Sequence, residues 1–201
     1  MDAKRSVDVA VAGPALLMAS PLIGLFALLV KAESPGPAIY SGLRVGRDGR
    51  EFHIYKIRTM RADADRTGPA ITVSEDRRVT RVGGFLRRMK LDELPQLWNV
   101  LAGDMSLVGP RPEHPEYVRQ YTPEQRAVLA VRPGITGPAV LQFVDEAALL
   151  TGDAQKTYVT VVMPQKLELD LEYVRNRSFG RDLQILVKTA GLVVRRALRL
   201  A

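Results

Sequence analysis

Leu91-Asp92-Glu93-Leu94-Pro95-Gln96-Leu97-Trp98-Asn99-Val100 joins two adjacent carboxylates to the start of an apolar periodicity. Arg87, Arg88 and Lys90 precede the pair, and Leu94, Leu97, Trp98 and Leu101 follow at spacings of three and four, one face of a helix. The pattern predicts a helix that starts at or near Asp92 and Glu93, with Pro95 in its first turn. Two roles fit the pair. Carboxylates at a helix start are stabilised by free backbone N–H groups and the helix dipole. Beside so many cations they can equally serve phosphate chemistry.

Upstream, Arg78 to Met89 continues a helical pattern, and residues 61–76 are polar around Gly68-Pro69, a loop that suits either a lid or a solvated linker. Ala38-Ile39-Tyr40 and Glu51 to Ile57, on either side of Asp48-Gly49, predict a β-hairpin. Ser34-Pro35-Gly36-Pro37 marks a turn. Before it, residues 9–30 carry no charge and are mostly apolar, long enough as a helix to reach roughly 33 Å. A signal peptide, a spanning helix and a re-entrant hairpin all compete for this stretch. The signal peptide fits least, because the apolar run is long and no small-residue cleavage site follows. Pro21 lacks a backbone donor and disfavours helical geometry at Ser20, whose hydroxyl can satisfy a freed carbonyl. Lys4 and Arg5 before the segment and Lys31 after it suit two ends on one cytoplasmic surface.

Downstream, Gly109-Pro110-Arg111-Pro112 holds an arginine between two prolines, so the loop has little entropy left to lose on binding; a plain rigid turn would read the same way. A helix is expected from Thr122-Pro123-Glu124, a second rigid loop over residues 133–138, and another helix over residues 165–175. From Asp182 to Ala201, Leu183, Leu186, Val187, Ala190, Val193, Val194 and Ala197 share one helical face beside Lys188, Arg195, Arg196 and Arg199. Such a basic amphipathic helix suits a membrane interface or the protein core.

The 201 residues suffice for one catalytic domain plus an accessory segment. The formal charge is +7, and residues 44–90 account for all of it, with thirteen Lys or Arg against six Asp or Glu. A localised basic region implies a phosphate-bearing partner: nucleotide, nucleic acid or anionic lipid. With no cysteine, disulfides and thiol catalysis are excluded, and two unrelated histidines give a metal site or hydrolase triad little to build on.

Residues 92–112, DELPQLWNVLAGDMSLVGPRP, resemble the signature of the bacterial sugar transferases, the monotopic polyprenyl-phosphate phosphoglycosyl transferases. The similarity extends to Lys4 and Arg5, Ser20-Pro21, the run Tyr55 to Met60, Arg132 to Gly137 and Asp170 to Val174. It implies an α+β, mainly helical fold: a re-entrant helix-break-helix anchor over residues 1–33, then a cytoplasmic catalytic domain over residues 34–201 in the minimal form. The implied location is the cytoplasmic face of a bacterial inner membrane. The implied activity is transfer of a sugar phosphate from a nucleotide sugar, UDP-linked by expectation, to polyprenyl (undecaprenyl) phosphate, with UMP released. In this reading Asp92 is the nucleophile, and Glu93 orients the phosphate or shares a Mg²⁺ ion with Asp92. Arg87 and Arg111 face phosphates. Lys56 and Arg58 bind an acidic group or form a structural ion pair, and Asp170 is a further family carboxylate. Ser20 and Pro21 shape the hairpin.

Two departures stand out. Ile57 replaces the aromatic usual in the Lys-x-Arg-Thr-Met segment, and Pro138-Ala139-Val140-Leu141-Gln142 differs from the usual Ala-Gln-Val ending, so the donor sugar does not carry over. The competing class is a basic nucleic-acid or anionic-lipid binding protein without catalysis. It explains the charge but not the acidic pair, and 6% aromatic content offers few stacking platforms for single strands, so no nucleic acid is expected. The sequence carries no reading of oligomeric state.

Overall fold

The computed structural model describes residues 3–64, 71–73 and 76–198. The chain is mainly helical with two small sheets, an α+β arrangement. Helix α1 (Ala3–Glu33) leads to a hairpin of β1 (Ile39–Val45) and β2 (Glu51–Ile57), antiparallel from Ile39↔Ile57 to Val45↔Glu51. Asp48 takes the left-handed conformation in the 3₁₀ turn that joins them, as Asp tolerates. Helix α2 (Arg81–Met89) follows, capped by Thr80, whose hydroxyl accepts the Gly83 N–H. It lies so close to the end of the hairpin that a Cβ on Gly83 would sit 2.0 Å from the Thr59 carbonyl oxygen. Only glycine permits that approach.

The carboxylate pair does not start a helix. Leu91–Glu93 form a 3₁₀ turn, α3 (Gln96–Ala102) begins after Pro95, and neither Asp92 nor Glu93 caps a backbone N–H there. The expected apolar face of α3 is only partly its buried one: Leu97 and Leu101 pack on the core, but Trp98 is 56% exposed, while Gln96, Asn99 and Val100 face inward. Asn99 explains the shift. Its Oδ1 accepts the Tyr55 N–H at 3.0 Å and its Nδ2 donates to the His53 carbonyl at 2.8 Å. The side chain thus stands where a third strand would pair with β2.

The loop expected over residues 133–138 contains a strand. β4 (Gly134–Thr136) runs parallel to β3 (Ser106–Val108), with Ser106↔Gly134 and Val108↔Thr136 in register. The helix expected from Thr122 begins with reciprocal bonds between Thr122 and Gln125, a capping box, but continues as the 3₁₀ helix Gln125–Ala130. Helix α4 (Met163–Arg175) is entered through a π turn at Tyr158–Val162, and α5 (Phe179–Leu198) closes the described chain. The loop expected over residues 61–76 lies partly outside the described residues, as does the end of the C-terminal helix.

Helix α1 continues through the Ser20-Pro21 step, where a break was expected. Pro21 cannot donate to the Leu17 carbonyl, and Ser20 Oγ donates to that oxygen instead, at 2.8 Å. Helix α1 is the one described helix long and apolar enough to cross a membrane, and little of it is buried. Its two ends dock on the domain. Near the N-terminus, Lys4 pairs with Asp182 at 2.5 Å, Arg5 donates to the Val100 and Leu101 carbonyls, and Asp8 accepts the Leu107 N–H. Near the C-terminus, Phe26 and Val30 pack with Ile57 and Leu86, and Glu33 accepts the Arg81 and Val82 N–H groups. No residue between Ala12 and Phe26 is buried.

Candidate active site

The site forms where the 3₁₀ turn, the end of β2 and the Gly109–Pro112 loop converge. Asp92 and Glu93 are both buried. Glu93 Oε1 accepts from Arg111 Nη2 at 2.6 Å and from Lys56 Nζ at 3.1 Å. Such charge-assisted bonds in a nearly dry setting are strong, and removing one partner strands the others. The loop that carries Arg111 is braced by the small parallel sheet: Gly109 N–H donates to the Thr136 carbonyl at 2.9 Å, and Gly134 N–H to the Pro110 carbonyl at 2.8 Å. The arginine between prolines is therefore held by β4 as well as by proline geometry.

The two carboxylates are neighbours in opposite electrostatic states. Burial alone would raise Glu93, but Arg111, Lys56 and Lys90 outweigh it and hold its carboxyl well below the usual range. Burial, then the Glu93 charge, pushes Asp92 up, against Lys56, Lys90 and Arg87. Asp92 Oδ1 is buried with no hydrogen-bond partner. A carboxylate oxygen so placed is desolvated and uncommitted, the condition of a nucleophile or a ligand awaiting its partner.

The cations differ in their commitments. Arg111 is stabilised in its charged form chiefly by Glu93. Burial lowers Lys56, against the pull of Glu93, and lowers Arg87, against that of Asp92. Arg87 Nε donates to Thr59 Oγ1 at 2.7 Å, which orients the guanidinium from α2. Arg58 goes elsewhere: its buried guanidinium donates to the Ser34 and Pro35 carbonyls, fastening the turn after α1. Lys90 was not singled out as a site residue, although its place two residues before Asp92 in a basic run was the available signal. It adopts left-handed backbone geometry (φ 58°), and burial lowers its pKa against the pull of Glu93 and Asp92.

Asp170 reaches the site from behind. On α4 it is buried near the backbone N–H groups of Arg111 and Ala139, and its Oδ1, like that of Asp92, has no hydrogen-bond partner. Burial raises it to about 7, opposed by those N–H groups and by Lys166. Farther back, Tyr158 donates to Glu113, and Lys166 Nζ pairs with Glu146 Oε2 at 2.7 Å and meets the Tyr158 hydroxyl at 3.3 Å. No local sequence pattern announced that cluster, because its members come from four separate segments. Ser20 and Pro21 lie within α1, outside the carboxylate cluster.

Among the described residues no group of three or more His, Cys, Asp or Glu gathers as a metal site. The Asp92–Glu93 pair suits an ion that takes one or two protein carboxylates and completes its shell with water and substrate phosphates, as Mg²⁺ does. The free, buried Asp92 Oδ1 agrees with that donor set.

A carboxylate pair flanked by fixed arginines and lysines lies on a domain that bears one long apolar helix. A family profile described as Bacterial sugar transferase matches residues 1–196. UDP-glucose:undecaprenyl-phosphate glucose-1-phosphate transferase of Caulobacter vibrioides is 42% identical over 191 residues, covering 92% of this chain and 67% of that protein. The protein of the same name from Escherichia coli is 40% identical over 189 residues, covering 92% of this chain and 39% of its own. Exopolysaccharide production protein PSS of Rhizobium leguminosarum is 38% identical over 194 residues and 92% of both chains. The chain belongs to the bacterial sugar transferase family and is a transferase.

Proposed function

We propose that this enzyme transfers a sugar 1-phosphate from a UDP-sugar to undecaprenyl phosphate in two displacements through Asp92, the first committed step of a cell-surface polysaccharide or glycoconjugate. In the first, Asp92 Oδ1 attacks the β-phosphorus, the bond to the bridging oxygen breaks, and UMP leaves. In the second, an oxygen of the polyprenyl phosphate attacks the same phosphorus and expels the Asp92 carboxylate, yielding the polyprenyl diphosphate sugar. The names of the relatives support the substrate classes. The observation that carries the assignment is the division of labour in the pair: Glu93 is bound to Arg111 and Lys56, while Asp92 keeps a buried, unpartnered oxygen.

The residues support such a reaction by position and charge. Meeting of an anionic nucleophile and an anionic diphosphate needs neutralisation and in-line geometry more than proton transfer. Glu93 fixes Arg111 and Lys56 at the mouth of the pair, and Arg87 approaches from α2, so phosphate oxygens meet cations already in place. Mg²⁺, if held by Asp92 and Glu93, would supply charge neutralisation on the diphosphate and the leaving nucleotide. Asp170 keeps the Arg111 loop in register.

The same reading puts the enzyme on the cytoplasmic face of the inner membrane, with α1 dipping into the bilayer and returning. Arg5 and Glu33 would lie roughly 42 Å apart along a straight helix, yet both dock on one domain while the stretch between Ala12 and Phe26 stands clear of it. Two prolines, Pro14 and Pro21, lie in or beside that stretch and allow a bend.

The test is chemical. Full-length protein incubated with a UDP-sugar and Mg²⁺, without lipid acceptor, should carry a phosphosugar on the peptide containing Asp92, read by mass spectrometry after a rapid quench. Asp92→Asn should fold normally, form no adduct and lose turnover by at least about a thousandfold, as removal of a covalent nucleophile does. An active, folded Asp92→Asn enzyme refutes the assignment.

A further inference from the structure

Strand β3 has a different chemical setting at each end. Past Val108 lies the Arg111 loop and the carboxylate cluster. At Ser106 lies a cavity of about 120 Å³, framed by the first turns of α1, the residues before β4 and the end of α4. Lys4, Arg5, Arg47, Arg132 and Arg177 line it, together with Asp8, and no member of the Asp92–Glu93 cluster does.

The charge there is not balanced internally. Lys4 pairs with Asp182 at 2.5 Å, Arg47 reaches Asp48 at 3.3 Å on the exposed side, and Asp8 accepts the Leu107 N–H. Among the described residues, five cations thus face three carboxylates. Arg5 and Arg132 spend N–H groups only on backbone carbonyls, of Val100, Leu101 and Gly103, which leaves their charge uncompensated. The second observation is independent of charge. Ser106 Oγ, on a residue 1% exposed, has no hydrogen-bond partner, although Ser106 borders the cavity. An unpaired buried hydroxyl is costly, and this one lies just behind the wall of a basic cavity, where the oxygen of an entering ligand would satisfy it.

We propose that this cavity binds a phosphate group, monoester or diester, at a site separate from the one where transfer occurs. The group can come from the headgroup of an anionic phospholipid, because the first turns of α1 frame the cavity, or from free phosphate in solution. The inference does not depend on the proposed reaction, and its test reads binding rather than turnover.

Full-length protein in nanodiscs of phosphatidylcholine provides the reference Tm. One arm adds inorganic phosphate; the other replaces part of the lipid with phosphatidylglycerol. Wild type should gain stability in at least one arm. Stabilisation by phosphatidylglycerol alone identifies a lipid headgroup, and stabilisation by inorganic phosphate shows that the free anion enters. Ser106→Ala keeps the charge and should match or exceed the wild-type Tm without ligand, since it removes an unsatisfied hydroxyl, yet gain less in the effective arm. Arg177→Gln should raise the apparent Kd about tenfold, the weight of one charge-assisted bond. Absence of stabilisation in both arms overturns the proposal. So do equal gains in wild type and both variants, because they would place the anion at the Arg111 cluster or on the surface at large.

Discussion

Asp92 and Glu93 show how far two adjacent carboxylates can diverge when the third dimension decides their neighbours. Glu93 turns toward Arg111 and Lys56, and Asp92 leaves its Oδ1 without a hydrogen-bond partner. Asp170 makes a related point through pH. Its carboxyl, normally near 3.8, is raised to about 7. A carboxyl raised on folding favours the folded state while protonated, so its contribution is fully present below about 3.8 and is lost progressively as pH rises toward about 7. Asp170→Asn, which stays neutral, should therefore flatten the fall of urea-unfolding stability over that window. Ionised Asp170 is also the better acceptor for the Arg111 and Ala139 N–H groups, so the variant should lower kcat at pH 8 while leaving stability there unchanged or raised. An unchanged stability profile in Asp170→Asn would show that this carboxyl titrates as an ordinary one.

Helix α3 packs only partly as its sequence suggests. Periodicity points Leu94, Leu97, Trp98 and Leu101 inward, and Leu97 and Leu101 do meet the core, but Trp98 is half-exposed and Asn99 is fully buried. Besides its two bonds to β2, the Asn99 main-chain carbonyl accepts the Gly103, Asp104 and Met105 N–H groups. One residue thus terminates α3 and joins it to the hairpin that carries Lys56. Asn99→Ala leaves the Tyr55 N–H and the His53 carbonyl without these partners, and should cost about 2–4 kcal/mol in denaturant unfolding, from two lost bonds in a buried setting. A loss below about 0.5 kcal/mol, the scale of an ordinary surface substitution, would mean that water replaces the amide without penalty. Helix α5 shows a similar division. Asp182 and Ile185 are buried, whereas Phe179, Leu183, Val187, Val194 and Leu198 form an exposed apolar stripe, as a helix lying on a lipid surface would.

At the scale of the molecule, α1, the one described helix long and apolar enough to cross a membrane, has both ends tied to elements of the site. Its C-terminal end packs through Phe26 and Val30 on Ile57 and Leu86, and its N-terminal end packs through Ala12 on the core that holds β3 and Tyr173. Both contacts lie within a few residues of elements that position Lys56, Arg87 and Arg111. Pro21→Leu restores the missing backbone donor and favours a straighter helix, which cannot seat both ends as well. In a background with one cysteine at Ala3, an impermeant maleimide added to intact cells should fail to label the parent and should label a fraction of Pro21→Leu. Labelling of the parent itself would place the N-terminus outside and rule out the re-entrant form.

The sequence by itself determined the elements whose cause is local. The hairpin follows from alternation around Asp48-Gly49, α1 from an uncharged apolar run, and α5 from its amphipathic period. Ser20 and Pro21 announced both a missing donor and its replacement, and the ordered motifs marked the family before any geometry was known. Tertiary structure decided what depends on partners distant in the chain. The strand hidden in residues 134–136, the burial of Asn99 in α3, the pairing of Glu93 with Arg111 and the diversion of Arg58 to the end of α1 all rest on contacts across 18 residues or more. Periodicity measures the average polarity of a face, so it cannot see a single asparagine standing in for a strand. Nor can adjacency in sequence say which of two carboxylates the arginine will take.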